Sequence, residues 1–391
     1  MGCSEVEVPQ NLENQLNDYI QQAQEEYQHI QEQEASEESV QSTEPEIPKT
    51  EEATETLSDI YYAYHTLDKA GQRLYLEIWH ALEGMKTDVE VSTLDTDRLN
   101  LVFQYVLADH PELFYVEGYQ YTKYTTGDVL TGLTFTGSYS MAYDEVRQTI
   151  HQIDEVVNNM IAPLEHITDQ YTIVRYLYDS LITVTEYDSN AENNQNIQSV
   201  FLQGRSVCQG YAKAMQYLLQ KKGIQAVLVT GYTNGEGHAW NLVKVNGAYY
   251  YLDPTWGDAS YSQADDMTGQ AGTMPAVNYD YFLVTTQELT KTHQLDENMP
   301  VPQCTATQDN YYVHEGLYLD SYNEDTIKLI FENAIANGSS YITMKCCNES
   351  VYAEVQNRLI TQQEVFRFLA NEGGSVAYTV NPTQLTISFW L

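Results

Sequence analysis

The chain has 391 residues, long enough for two domains of ordinary size or one large domain with a small appendage. Its 56 acidic residues against 18 basic ones give a formal charge of -38 with no Lys/Arg cluster, which excludes nucleic acid because a phosphate backbone would be repelled. No run of about 18 apolar residues occurs, so no segment reads as a membrane-spanning helix. The 33 tyrosines suit half-wet surfaces such as an extracellular face or a peptide-binding wall, although simple compositional bias explains them equally well.

Read in chain order, the N-terminal Gly2-Cys3 resembles the end of a bacterial lipoprotein signal. That resemblance implies Cys3 as a lipid anchor, an extracellular location and membrane contact only through the lipid. The alternative is a cytosolic start that happens to contain Cys. N-myristoylation does not fit, because Val6 stands where Ser or Thr is needed. From Glu5 to about Thr56, Glu, Gln, Ser, Thr and Asn dominate, so residues 1–56 read as a disordered acidic spacer. Within it Leu12, Leu16, Tyr19, Ala23, Tyr27 and Ile30 would line one face of a transient helix.

Residues 57–164 read as a mostly helical N-terminal region. A helical period over 57–85 is broken at Gly71, a second helix covers 97–108, and 113–141 alternates like a β-hairpin or meander. Helices follow at about 142–163 and 168–183. The polar stretch 184–203 reads as a loop. From Cys208, the positions of Tyr211, Ala214, Met215, Leu218 and Leu219 predict a helix ending at Gly223. A buried strand, "QAVLVTGYT", then leads to a hairpin turning at Asn246-Gly247. Residues 258–280 read as a loop and 281–303 close a core spanning 165–303. Residues 304–391 read as a small α/β domain: a strand from Tyr311, a helix at 323–337, the strand "SYITMKC", a helix at 350–371 and terminal strands.

The five cysteines are Cys3, Cys208, Cys304, Cys346 and Cys347. Cys304 is placed to pair with either Cys346 or Cys347, whereas adjacent Cys346 and Cys347 rarely bridge each other. None shows zinc-like spacing, so no metal site is expected, and no cofactor.

The hairpin carries a geometric prediction. With Asn246-Gly247 as the turn, Val245 faces Ala248, and the same register places Trp240 opposite Asp253 and His238 opposite Thr255. His238 and Asp253 then share one face as diagonal neighbours, about 7–8 Å apart at Cα, so the carboxylate can orient the imidazole. Cys208 opens a predicted helix, where unpaired N–H groups favour the thiolate. Gly204 and Gly210 leave room for close backbone approach. A helix-borne thiolate facing a strand-borne His held by an Asp is the arrangement of nucleophilic acyl chemistry.

The motifs G-x-x-C-x-G-Y-A, H-A-W-N-x-V and Y-x-x-D-P-T-W, in that order over about 165–260, resemble the transglutaminase-like superfamily of papain-like cysteine enzymes. The resemblance implies an α+β fold with a Cys-bearing helix packed on an antiparallel sheet. It implies Cys208 as nucleophile, His238 as general acid/base and Asp253 as its orienting partner. The Cys208 N–H would lie in the oxyanion hole, with Tyr187 or Gln203 as the second donor. Gly210, Trp240, Asn241 and Trp256 would support the site. The expected function is acyl transfer at amide bonds of protein or peptide, hydrolysis favoured over amine transfer, by a monomer. The alternative is a catalytically silent surface adhesin or scaffold that binds peptide or glycan. His65, His80, His110, His151, His166, His293 and His314 show no ligand pattern and read as surface or satisfied core residues.

Overall fold

The computed structural model describes residues 59–258, 276–369 and 375–391. Cys3, the stripe from Leu12 to Ile30 and the loop reading over 259–275 lie outside the described residues. Among the described residues no helix is long and apolar enough to cross a membrane.

The N-terminal region begins with helices α1 (Tyr62–Thr66) and α2 (Lys69–Glu83). The break between them falls at Leu67 and Asp68 rather than at Gly71. Asp68 supplies the reason: its carboxylate accepts from the Gly71 N–H at 2.8 Å and so starts a helix, with Gly71 buried in its first turn. Strand β1 (Val89–Glu90) precedes α3 (Thr96–Asp109), capped by Asp95. Strands β2 (Val116–Thr126) and β3 (Val129–Tyr139) form the expected hairpin, and β1 pairs with the outer side of β3. Helix α4 (Tyr143–Ile161) follows, then α5 (Gln170–Val184), started by the Asp169 side chain.

The stretch 184–203 is not a loop throughout. It holds β4 (Glu186–Tyr187) and α6 (Ile197–Gln203), the latter capped by Asn196 and stopped by Gly204 at φ 63°. Ile197, Val200 and Phe201 provide its buried face, a period too short to stand out in so polar a segment. Strand β5 (Arg205–Ser206) pairs in parallel with β4 and delivers the chain to α7 (Cys208–Lys221).

Helix α7 packs against a four-stranded antiparallel sheet. Its strands are β6 (Ala226–Thr233), β7 (Glu236–Val245), β8 (Ala248–Leu252) and β9 (His293–Leu295), in the order β8-β7-β6-β9. The helical turn α8 (Pro254–Gly257) leaves β8, and α9 (Thr286–Leu289) precedes β9. One apolar cluster runs from Ala63 through Leu177 and Met215 to Leu283, so the N-terminal helices and the Cys-bearing helix share a core. The architecture is α+β.

The C-terminal residues form a second sheet with its own apolar cluster, including Phe331, Met344, Ile387 and Phe389. Where a strand was expected at Tyr311 there is a helical turn, α10 (Tyr311–His314), because the Asn310 side chain accepts from the Tyr312 N–H. Strand β10 (Tyr318–Leu319), α11 (Glu324–Ala336), β11 (Tyr341–Cys346), α12 (Glu349–Gln356), β12 (Tyr378–Asn381) and β13 (Thr386–Trp390) follow. The strand order is β10-β11-β13-β12, with β10 and β11 parallel. The helix expected over 350–371 is shorter, since α12 loosens into a π-helical stretch at Asn357–Thr361 and a separate 3-10 turn covers Glu364–Arg367. All four described cysteines are free thiols, so Cys304 bridges neither Cys346 nor Cys347. Cys304 belongs to the cluster against β6 and β7 and Cys346 to the C-terminal cluster. Burial pushes these two thiols up to about 11 and about 12.

Candidate active site

The site is assembled where three segments meet: the start of α7, the middle of β7 and the end of β8. The observed hairpin register runs from Val245 opposite Ala248 to Asn241 opposite Leu252, as the turn predicts. It stops there. Pro254 has no N–H for a ladder and a φ suited to a helix start, so the chain turns into α8, and Trp240 does not pair with Asp253 nor His238 with Thr255. Asp253 becomes the cap of α8 instead. Its Oδ1 accepts from the backbone N–H of Thr255 at 2.9 Å and of Trp256 at 3.1 Å.

The diagonal relation survives this change. Asp253 Oδ2 lies 2.7 Å from His238 Nε2, and both residues are buried. The Cys208 side chain lies near enough to the same ring to favour its charged form. Cys208 is the first residue of α7, half-buried, with an extended Val207 before it. The structure therefore gathers Cys208, His238 and Asp253 at one place, around the His238–Asp253 hydrogen bond.

Supporting contacts hold these elements in place. The Asn241 Nδ2 donates to the Ala212 carbonyl at 2.9 Å and ties β7 to the second turn of α7. At Gly210 an added Cβ would lie 1.9 Å from Ser206 Oγ and 2.9 Å from the Asn194 carbonyl oxygen, so the turn entering α7 closes only around glycine. Trp240, fully buried, stacks on His238 with ring centroids 5.8 Å apart, and Trp256 meets the same ring edge-on at 6.2 Å. Of the two expected oxyanion donors, Tyr187 pairs with Ser206 in the β4–β5 ladder and sets its ring 6.5 Å from that of Tyr211 in α7. Gln203 ends α6 with its side chain exposed.

Electrostatics separate the two central groups. Burial works against a charged His238, but the Asp253 carboxylate, its hydrogen bond and the Cys208 side chain outweigh it and push the imidazolium up to about 10. Burial would likewise raise Asp253, yet the charge of His238 and hydrogen bonds from two imidazoles hold its carboxyl well below the usual range. The pair is an imidazolium facing a carboxylate.

The second imidazole belongs to His293, which by sequence reads as a surface or satisfied core residue. It is a fully buried residue of β9 whose Nε2 lies 3.0 Å from Asp253 Oδ2. Nothing local announces it, since β9 is three residues long and reaches the site only by adding to the free edge of β6. Of the other histidines so read, His110 is buried with Nδ1 2.6 Å from Glu112 Oε1, and the others are exposed. His238, Asp253 and His293 offer ligand atoms within 4.8 Å of one another, residue types that suit a divalent ion. Both imidazoles aim Nε2 at one carboxylate oxygen at hydrogen-bond distance, so protons alone account for the arrangement.

A family profile described as "Transglutaminase-like superfamily" matches residues 158–254, so the chain carries a transglutaminase-like domain there. Cys208, His238 and Asp253 all fall inside that span. The chain is similar to the kyphoscoliosis peptidase of Homo sapiens, 23% identical over 229 residues, 52% of this chain and 33% of that protein. The kyphoscoliosis peptidase of Mus musculus is 24% identical over 217 residues, 49% of this chain and 31% of that protein. The match thus spans about a third of the length of these curated relatives. Among solved structures, the crystal structure of a TGase superposes with a TM-score of 0.27 at 13% identity, covering 41% of this chain and 48% of that one. The sequence matches, not this superposition, carry the assignment.

Proposed function

We propose that the protein is a thiol acyl-transfer enzyme that cleaves amide bonds of protein or peptide substrates. The observation that carries the reading is the buried His238 ring, hydrogen-bonded to Asp253 and within electrostatic reach of the Cys208 side chain. In this mechanism the Cys208 thiolate adds to the amide carbonyl carbon, and the oxygen takes up the negative charge. The Cys208 N–H at the start of α7 stabilises that oxygen, with Tyr187 or Gln203 as the second donor. The His238 imidazolium gives its proton to the departing amine as the C–N bond breaks, leaving a thioester on Cys208. Water, deprotonated by the now neutral His238, adds to the thioester carbonyl, the C–S bond breaks, and the acid leaves with the Cys208 thiolate and His238 imidazolium restored. Asp253 stays ionised throughout and keeps the ring oriented.

Hydrolysis is favoured over transfer to an amine because water is always present and a transferase has to exclude it. The name peptidase borne by the similar human and mouse proteins supports the same preference. The proposal includes a monomer working outside the cell, anchored through Cys3. Incubation with a mixture of cell-surface proteins and a labelled primary amine tests the reaction. New N-termini are expected with the unaltered protein, with a loss of about 10³-fold or more in the Cys208→Ser and His238→Ala variants. Label incorporated without cleavage would make the protein a transferase. Cleavage that survives in both variants, or neither product from the unaltered protein, would contradict the enzyme reading, the second favouring the silent adhesin.

A further inference from the structure

We propose that His293 is a positioning residue for the Cys208, His238 and Asp253 site, and that Thr292, Tyr281 and Gln384 set its tautomer through a hydrogen-bond chain reaching from the C-terminal sheet. The proposal rests on the catalytic reading above and assigns a role to residues that reading does not use.

His293 reaches the site because β9 closes tightly on β6. At Gly231, which pairs with Leu295, an added Cβ would lie 2.0 Å from the Gln294 carbonyl oxygen and 2.7 Å from the Trp240 ring, so only glycine admits the strand. The His293 ring then sits between Trp240, Trp256 and Tyr281, with centroids 5.0, 5.0 and 5.2 Å away, and is closed to solvent.

The directions in the chain are assigned from its two ends, a buried cation at one and the Asp253 carboxylate, which only accepts, at the other. Lys345, 2% exposed, places Nζ 3.0 Å from the Gln384 carbonyl oxygen and 3.4 Å from Gln384 Oε1, with Glu288 Oε1 at 3.5 Å. An ammonium has only donors, so the Gln384 amide must turn its oxygen toward Lys345 and its nitrogen away. That nitrogen donates to the Tyr281 hydroxyl oxygen at 2.9 Å. Tyr281 in turn donates to Thr292 Oγ1 at 3.1 Å. Thr292 donates to His293 Nδ1 at 2.8 Å, a shorter contact than the 3.4 Å to its alternative acceptor, the Leu289 carbonyl. With Nδ1 accepting, the His293 proton resides on Nε2 and is donated to Asp253 Oδ2 at 3.0 Å.

The chain completes the coordination of the Asp253 carboxylate. Oδ1 accepts two backbone N–H groups and Oδ2 accepts two imidazoles, so all four lone-pair directions are used and the group cannot turn away from His238. His293 touches neither Cys208 nor the bond to be cleaved. It acts through Asp253.

Two measurements on the full chain test this. The first is the rate at which iodoacetamide labels Cys208, with the half-buried free thiol Cys347 as internal reference, in the unaltered protein and in His293→Leu, His293→Gln and Tyr281→Phe. His293→Leu should slow Cys208 roughly 10- to 100-fold. His293→Gln, which keeps an N–H donor near Asp253, should recover most of that loss. Tyr281→Phe keeps the ring that packs on His293 and should slow Cys208 several-fold. The second is the nitrogen chemical shift pair of His293 in protein labelled with 15N-histidine, assigned by the signals missing in His293→Gln. The expected pattern is the Nε2–H tautomer, lost or mixed in Tyr281→Phe. Fast labelling of Cys208 in all three variants, or an Nδ1–H tautomer in the unaltered protein, would overturn the proposal while leaving the catalytic reading intact. If Cys208 labels no faster than Cys347 in the unaltered protein, the catalytic reading fails and the positioning role falls with it.

Discussion

Among the described residues two aspartates are completely closed to solvent, and they sit in opposite states. Asp109, at the end of α3, accepts from the backbone N–H groups of Ala63 and Tyr64 at 3.0 and 2.9 Å and from the Tyr75 hydroxyl at 3.0 Å. It stitches α1 and α2 to α3. Burial dominates there, and the hydrogen bonds with the charge of neighbouring His110 offset only part of it, so the carboxyl is pushed up to about 6. Asp253 is buried as deeply and also caps a helix, yet its carboxyl is held well below the usual range by His238 and His293. Burial by itself therefore marks neither group as functional. A cationic partner in direct contact separates the carboxylate that orients an imidazolium from the one that fastens helices together.

The sharpest way to break that contrast is Asp253→Asn, which removes the charge and leaves the shape. Activity should fall about 10⁴-fold, the scale seen when the carboxylate of such a triad is neutralised. The stability profile should change with it. Because the His238 pKa is raised, its contribution is fully present below about pH 6.5 and is lost as pH rises through about 10. Urea unfolding between pH 7 and 10.5 should show this alkaline decline in the unaltered protein, and a much weaker one in Asp253→Asn.

The smaller effect comes from the other aspartate. Asp109 has its folded pKa raised to about 6, so its contribution is fully present below about pH 3.8 and is lost as pH rises through about 6. Asp109→Asn should remove that slope from unfolding curves. It should cost about 1–3 kcal/mol at low pH, because an amide N–H₂ would confront a backbone donor. Cleavage activity should stay within about twofold at 25 °C, since the group lies outside the site.

Much of the hairpin that carries His238 is legible in the chain because a two-residue Asn246-Gly247 turn leaves one register available, and that register places every paired residue observed. The same arithmetic overruns at Asp253, where Pro254 ends the ladder and converts a strand position into a helix cap. The contact with His238 survives because a capping aspartate has two oxygens, one for the helix and one for the ring. The start of α7 is legible for a related reason: glycines on both sides of Cys208 mark tight backbone, and the helical period after it is long. His293 is illegible because its partner lies 40 residues away and the glycine that admits its strand, Gly231, pairs across a sheet edge. The helix α6 is hidden by its brevity, and Gln384 by its place in the turn between β12 and β13, 103 residues from Tyr281. Spacing could not reveal that Cys304 and Cys346 lie in separate apolar clusters as free thiols.

The central claim is that Cys208 is a nucleophile made reactive by His238. Labelling with iodoacetamide at pH 7, followed by mass mapping of Cys208, Cys304, Cys346 and Cys347, tests it most directly. Cys208 should be modified well ahead of the other three, and His238→Ala should bring its rate down to that of Cys347. Equal labelling of Cys208 and Cys347 in the unaltered protein, or a Cys208 rate indifferent to His238→Ala, would contradict the account.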